Sequence, residues 1–566
     1  MKNILYSAMM LFALTGCSDF LDSESYTNKN MGNFPQNEDD IKAMVTGIYA
    51  AQTSIDVPNV VKNHPYMVAE AAGDERYGGG GPSSFDLQAL DKLLVADANQ
   101  FNPLWSARYQ GIYRANQLLE NVDKCPGFKD EKTKQVYKAE AHFLRALFYW
   151  ELVQTFERVP LITSTIPSNK PRASVDELYA QIASDFITAI DLLPSIKYSE
   201  YQPGRATRWN AQGYLARVFM FYTGFYQKES MPVVGGTQLS KADVIAHLQD
   251  CIDNSGHNLV DKFGNLWTYS NLHTKKDYKY SQDLDLSWAG EDNEEVMYSY
   301  KYSLLGSGTP NNTSQRNYFA SWNALSSAQL KSDKTFPYGL GWCFGCVTEG
   351  TWDYWQDKNP NDVRKLGSFI DLENEIKGFN PKGFKSWEET MYRSKKHLPI
   401  TAKDGKGKTL FCFSVLEWGA ANTNKSYIFD FVLMRFAEVL LMQSELTQDA
   451  SYMNRVRTRA GQEPVAYSLE NIQDERRWEL SFEGHRWNDI RRWHIAEEVL
   501  DKQIGETVYN QAKEAVMPEL AGGYAARYKM TRGFWMVPQR QIDLSGGVLD
   551  QNEGWGTGNF IYTGWK

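Results

Sequence analysis

Five segments in the first half of the chain, near residues 103–123, 131–156, 174–193, 205–227 and 240–253, carry apolar side chains at a helical spacing. Pro126-Gly127, Pro194 and Pro203-Gly204 stand between them. Such breaks close one helix before the next begins, and helices joined by short connections pack against their neighbours in sequence. A further helix is expected from Asp39 to Ser54, with Ile41, Met44, Val45 and Ile48 on one face. Ala139-x₃-Phe143 and Trp209-x₄-Tyr214 have the small-large spacing that lets two helices approach closely, as in tetratricopeptide repeats, although no clean 34-residue period runs through the chain. Helical pattern returns at Tyr427 to Glu445, apolar nearly all round and therefore expected to be buried, and again near 449–460 and 468–500.

Between about 255 and 426 the character changes to irregular sequence rich in Gly, Asn and Trp, including Gly306 to Asn312 and Lys403 to Lys408. Long loops with short strands are expected there, and loops of that length are usually functional or disordered; the aromatic content argues against disorder. At the other end, Lys2 precedes eleven apolar-rich residues from Ile4 to Leu14, then Thr15-Gly16-Cys17 and the charged Asp19 and Asp22. That run is far short of the roughly 20 residues a membrane-spanning helix needs and reads as a signal peptide. Its Leu-Thr-Gly-Cys ending resembles a bacterial lipobox, which implies acylation of Cys17 and a lipid tether. The expected divisions are thus a leader at 1–16, anchor and tether at 17–38, a helical scaffold at 39–254, a loop-rich ligand-binding region at 255–426, and a second helical part with a tail at 427–566.

A net charge of −9 offers no basic footprint for nucleic acid. With Cys17 assigned to lipid, Cys125, Cys251, Cys343, Cys346 and Cys412 remain, an odd number and too few to hold a chain of this size together. Cys343-Phe344-Gly345-Cys346 has a CxxC spacing, but a structural zinc needs four ligands and no second CxxC or paired histidine lies nearby; a strained loop disulfide or two free thiols are the readings left. No HExxH, GxSxG, phosphate-loop or EF-hand pattern occurs, so neither metal nor cofactor is expected. The Gly78 to Gly81 run reads as a flexible turn.

Glu475, Glu479 and Glu483 recur at a spacing of four among Arg476, Arg477, Arg486, Arg491 and Arg492. Glycoside hydrolysis needs two carboxyls opposed across the substrate, one with a raised pKa, whereas arginines at this density keep carboxylates ionised. A structural Arg–Glu network is expected. Arg435 and Glu438, three apart on an apolar segment, are expected to pair with each other or with neighbouring helices.

The positive signal is aromatic surplus in loops: Tyr77 and Phe85 first, then Trp267, Tyr269, Trp288, Trp322, Trp342, Trp352 and Trp355. A sugar ring has an apolar C–H face and a hydroxyl rim, so its site wants flat rings beside Asp, Asn, Arg or Gln groups. Asp74-Glu75-Arg76-Tyr77 offers that mixture, and Asn311-Asn312 with Arg316 offers it again. Asp74, Arg76, Tyr77, Trp288, Asn311, Arg316, Trp322, Trp342, Trp352 and Trp355 are the candidate ligand residues.

Several longer motifs, in one order along nearly the whole chain, resemble the SusD/RagB family of outer-membrane nutrient-binding lipoproteins. They are Ser18 to Asp22 after the lipid cysteine, Trp105 to Asn116, Ala139 to Pro160, Gly204 to Tyr222, Asp362 to Arg364, Phe431 to Glu445, Asn454 to Gly461 and Glu475 to Trp493. Val537-Pro538 and Asp550 to Gly554 resemble the family's ending, with Glu553 where that pattern usually has Pro. The resemblance implies a mainly α fold: four tetratricopeptide-like helix pairs form a scaffold, and long loops and short strands make a ligand face. It also implies a surface-exposed, lipid-anchored place on the outer membrane, a SusC-like TonB-dependent transporter as partner, and capture of oligosaccharides, or in some members peptides, without catalysis. Within that family, ligand residues commonly come from the two loop regions named above.

Overall fold

The computed structural model describes residues 34–57, 59–276, 278–302, 317–326, 337–376, 378–411, 413–416, 427–556 and 560–565. Cys17, Asn311 and Arg316 lie outside these residues, as does Cys412.

The six expected helices form close to their expected limits, α1 Glu38–Gln52, α3 Asn102–Asn121, α4 Glu131–Phe156, α5 Val175–Leu192, α6 Arg208–Phe225 and α7 Lys241–Asn254, and a short helix not expected from the sequence, α2 Pro65–Ala72, stands between the first two. Local chemistry fixes their starts. Ser174 accepts from the Glu177 amide at 3.2 Å while Glu177 accepts from the Ser174 amide at 2.9 Å, a reciprocal cap repeated by Thr207 with Asn210 and by Ser240 with Asp243. From α4 onward each helix packs on the one before it, and α1 lies against α3 and α4. The closest approach is at Gly111 of α3, where a Cβ would stand 2.4 Å from the Phe148 ring of α4. One apolar core runs through the stack, with Phe143, Trp150, Phe186, Leu215 and Leu440 all nearly or fully buried; each such side chain contributes about 1.5–3 kcal/mol.

The second helical part consists of α8 Phe436–Thr447, α9 Ala450–Arg459, α10 Leu469–Leu480 and α11 Arg486–Arg492. Here α8 packs on α7, α9 and α10, and α11 packs on α6. Two expectations change. The apolar run from Tyr427 begins as a strand, β2 Phe431–Arg435, antiparallel to β1 Val296–Tyr300, and turns helical only at Phe436. The stretch 468–500 is broken after Leu480, because Phe482 and Gly484 take left-handed backbone (φ 64° and 80°). That break aims the Phe482 carbonyl at the Tyr66 hydroxyl (3.1 Å) and the Gly484 amide at Glu70 (2.8 Å), both on α2.

The strands form six two-stranded sheets among the described residues, and no barrel. Buried ion pairs pin the loop-rich middle to the helices. Arg364 reaches Asp362 (2.7 Å), Glu475 (2.6 Å) and Glu479 (3.0 Å); Arg435 reaches Glu295 (2.5 Å), Glu479 (2.9 Å) and Glu483 (2.7 Å); Lys396 reaches Glu483 (2.7 Å). An Arg–Glu network is therefore present, but its arginines are not the neighbours in sequence: Glu475, Glu479 and Glu483 take Arg364, Arg435, Arg457, Arg459 and Lys396 from other segments, while Arg476, Arg477, Arg486 and Arg492 take Asp489, Asp74, Glu75 and Glu445. Arg435 and Glu438 do not pair with each other: Glu438 takes Arg217, since the strand-to-helix switch turns Arg435 the other way.

Candidate functional site

Residues 342–347 are held along two edges. On one, the amides of Trp342, Cys343 and Phe344 donate to the carbonyls of Ser321, Ala324 and Trp322 at 2.8–2.9 Å. On the other, antiparallel bridges join Arg76 to Val347 and Gly79 to Phe344, and the Tyr77 amide donates to the Cys346 carbonyl at 2.8 Å. The Trp387 amide adds a bond to Gly80 at 2.6 Å. The fold thus brings the first loop and the tryptophan-rich middle together, through their backbones.

The side chains of the first loop turn inward. Burial alone would raise the Asp74 carboxyl, but Arg486 (2.7 Å) and Arg477 (3.3 Å) outweigh it and hold the group well below the usual range. Arg76, 2% exposed, donates to Glu70 (2.9 Å), Asn323 (2.6 Å) and the Gly345 carbonyl (2.6 Å). Tyr77 is fully buried and its hydroxyl donates to Glu506, whose carboxyl burial pushes up to about 7. These three residues build the wall behind the loops and present little or no surface to a ligand. The glycine run is part of the same wall and not a flexible turn: Gly78 to Gly80 are buried, Gly79 donates to Glu388 at 2.7 Å, and a Cβ at Gly80 would meet the Phe344 ring at 2.3 Å.

What faces outward is Trp342, 44% exposed. Trp322 meets it edge-on with centroids 4.6 Å apart, and Phe344 lies 3.6 Å behind Trp322. Gly341 permits the approach: a Cβ there would stand 2.2 Å from the Ser321 carbonyl oxygen. One buried donor beside this group, Trp322 Nε1, has no acceptor among the described residues. A rigid, half-exposed ring with a polar group at its base can stack on an apolar face and accept a hydroxyl rim.

The other candidates lie elsewhere. Trp355 is fully buried against Phe369 and Trp478. Trp352 stacks on Tyr392 at 4.2 Å and carries the Lys365 ammonium 3.6 Å from its centroid; groups that near cannot share a face, so both faces are taken. Trp288 is half-buried in a separate pocket of about 30 Å³ with Trp267 and Glu291. Trp267 and Tyr269 are themselves buried. Phe344 and Trp387 were missed as candidates, and the only hint of them was the glycine run that packs against both. Cys343 and Cys346 are buried thiols not joined in a disulfide; Arg393 Nε donates to Cys343 at 3.2 Å and burial pushes the Cys346 thiol up. No group of His, Cys, Asp and Glu able to hold a metal occurs among the described residues. No helix among them is long and apolar enough to cross a membrane.

Comparison with known proteins is consistent along the chain. Residues 19–220 match a family described as SusD-like, starch-binding and associating with the outer membrane, and residues 285–555 match the SusD family. A SusD-like protein of Formosa agariphila is 24% identical over 548 residues, covering 88% of this chain and 91% of the relative. A SusD-like protein of Bacteroides ovatus is 24% identical over 426 residues, 72% and 67% of the two chains. Among solved structures, a laminarin-binding SusD-like protein superposes with a TM-score of 0.67 at 22% identity, over 92% of this chain and all of that one. A surface glycan-binding protein of Bacteroides thetaiotaomicron, solved with laminarihexaose, superposes with a TM-score of 0.67 at 18% identity, over 91% of this chain and all of that one.

Proposed function

The chain belongs to the SusD family, and from that premise we propose that it captures nutrient oligosaccharides at the cell surface and passes them to a SusC-like TonB-dependent transporter, without making or breaking a bond. The observation that carries the glycan reading is Trp342, a large ring held half in solvent by Trp322 and Phe344 on a buried, ion-paired backing. Two relatives of the same fold are named for glycans, which supports the same class of ligand here. Tethering through an acylated Cys17 would keep the site at the membrane while the transporter acts. Of the candidates read from the sequence, Trp342 is retained as a ligand contact, Asn311 and Arg316 remain proposals, and Asp74, Arg76, Tyr77, Trp355 and the buried Trp322 are assigned to support.

Binding without catalysis fits the fate of the carboxylates. Glu475, Glu479 and Glu483 are buried and tied to arginines or lysine, so none is free to flank a glycosidic bond. The test is calorimetric titration of the protein lacking residues 1–17 with plant, fungal and host polysaccharides and a peptide digest, with reducing ends assayed alongside. Saturable glycan binding is expected, weakened about tenfold or more by Trp342→Ala, with no reducing ends released. Binding confined to peptides would replace the substrate class, and released reducing ends would sink the non-catalytic reading.

A further inference from the structure

A second cleft, sharing no residue with the Trp342 group, opens between the α5–α6 connection and β1. It encloses about 240 Å³ and is walled by Tyr198, Tyr201, Gln202, Arg205, His257 and Asp292. That is space for about eight waters at ~30 Å³ each, enough for one sugar ring. Tyr198 is half-buried and stacks on His257 with centroids 4.2 Å apart and an 18° tilt, so the imidazole braces it as a fixed platform.

The charges of the wall are already answered. Arg205 forks onto Glu140, and Asp292 is bound by Lys301 at 2.5 Å. Each charged side chain of the wall thus has an ion-pair partner, with Lys301 shared between Asp292 and Asp430, and beside them the cleft offers ring surface with polar groups. One buried atom among the described residues of the wall has no partner. His257 Nδ1 bonds the Glu294 carbonyl at 2.9 Å, which can only accept, so Nδ1 carries the proton. Burial holds the ring neutral by pulling its pKa down to about 4. Nε2 is thereby a bare acceptor, buried and unsatisfied. It calls for a neutral donor, and a hydroxyl is the neutral donor that accompanies an apolar ring face in a sugar.

We propose that this cleft is a second carbohydrate site, taking one neutral pyranose ring against Tyr198 with a hydroxyl directed to His257 Nε2. It does not depend on the Trp342 reading. A single ring with one platform would bind weakly, with a Kd of about 1–10 mM. Two weak sites on one tethered chain would raise the residence of a long glycan without tight binding at either.

The experiment is ¹⁵N NMR of the histidine-labelled protein lacking residues 1–17, titrated with methyl β-glucopyranoside and methyl β-galactopyranoside, with glycerol as control. The His257 Nε2 resonance is expected to move saturably with at least one glycoside, equally in Trp342→Ala, and not with glycerol. Tyr198→Ala should weaken that response about three- to tenfold. Should Tyr198→Ala disturb folding, Gln202→Ala on the exposed rim carries the same expectation. No shift, a shift lost in Trp342→Ala, or one reproduced by glycerol would overturn the proposal. Loss of polysaccharide binding in Trp342→Ala with the His257 response intact would leave each site tested separately.

Discussion

Arg76 has almost no surface, yet four acceptors from three chain segments converge on its guanidinium: Glu70 of α2, Asn323, and the carbonyls of Phe344 and Gly345. It fixes the short helix Tyr318–Asn323, which carries Trp322, and the Trp342 loop to the scaffold at once. A lysine keeps the charge but not the planar fork, so Arg76→Lys leaves buried acceptors unmet at a cost of roughly 2–4 kcal/mol. The expected outcome is a lower denaturant midpoint together with weaker glycan binding; loss of stability with unchanged affinity would separate Arg76 from the site. Asp74, Arg76 and Tyr77 were picked out by their mixed charged and aromatic character, and that much was legible. Their inward direction was not, because their partners are remote: Arg486 is 412 residues from Asp74, and Glu506 is 429 from Tyr77.

At the level of elements, legibility followed length. The long amphipathic helices α3 to α7 fall within a few residues of their expected limits, because their periodicity and caps are local. The short apolar run Phe431–Arg435 could be strand or helix by pattern alone, and only pairing with Val296–Tyr300 decides it. The ladder that carries Trp342 was likewise invisible, since it is built from a six-residue helix, two-residue strands and isolated bridges. Its tightest point is Gly341, packed on the Ser321 carbonyl. Gly341→Ala must push that ladder apart, and we expect glycan affinity to fall several-fold while helical circular dichroism is unchanged. Gly405→Ala, where a Cβ meets nothing within 4 Å, is the control that should bind normally. Equal behaviour of the two variants would remove the ladder from the binding argument.

Across the whole molecule, buried carboxyl groups make stability depend on pH in two opposed ways. Burial would raise Asp185, Asp489 and Glu479, but the arginines against them win and hold all three at about 2. Their contribution is complete above the ordinary carboxylate range, near 4, and is lost as pH falls from there toward 2. Asp56, Asp430 and Glu506 are the reverse: burial raises each to about 7, so the folded state holds protons that the unfolded chain releases near 4. Their contribution is complete below about 4 and drains away as pH rises through 7. The melting temperature is therefore expected to rise from pH 8 to about 5 and to fall steeply below about 4. Glu506→Gln keeps one oxygen to accept from the Gly350 amide and turns an NH2 toward the Tyr77 hydroxyl oxygen, which can accept, without the ionisable group, so it should flatten part of the slope between pH 5 and 8 and leave the acid limb alone. Trp342 and Trp322 carry no titrating group, so glycan affinity should stay level over that interval while stability changes. A melting profile flat from pH 5 to 8, or unmoved by Glu506→Gln, would mean that the buried carboxyls find water or counterions on ionising and do not burden the fold.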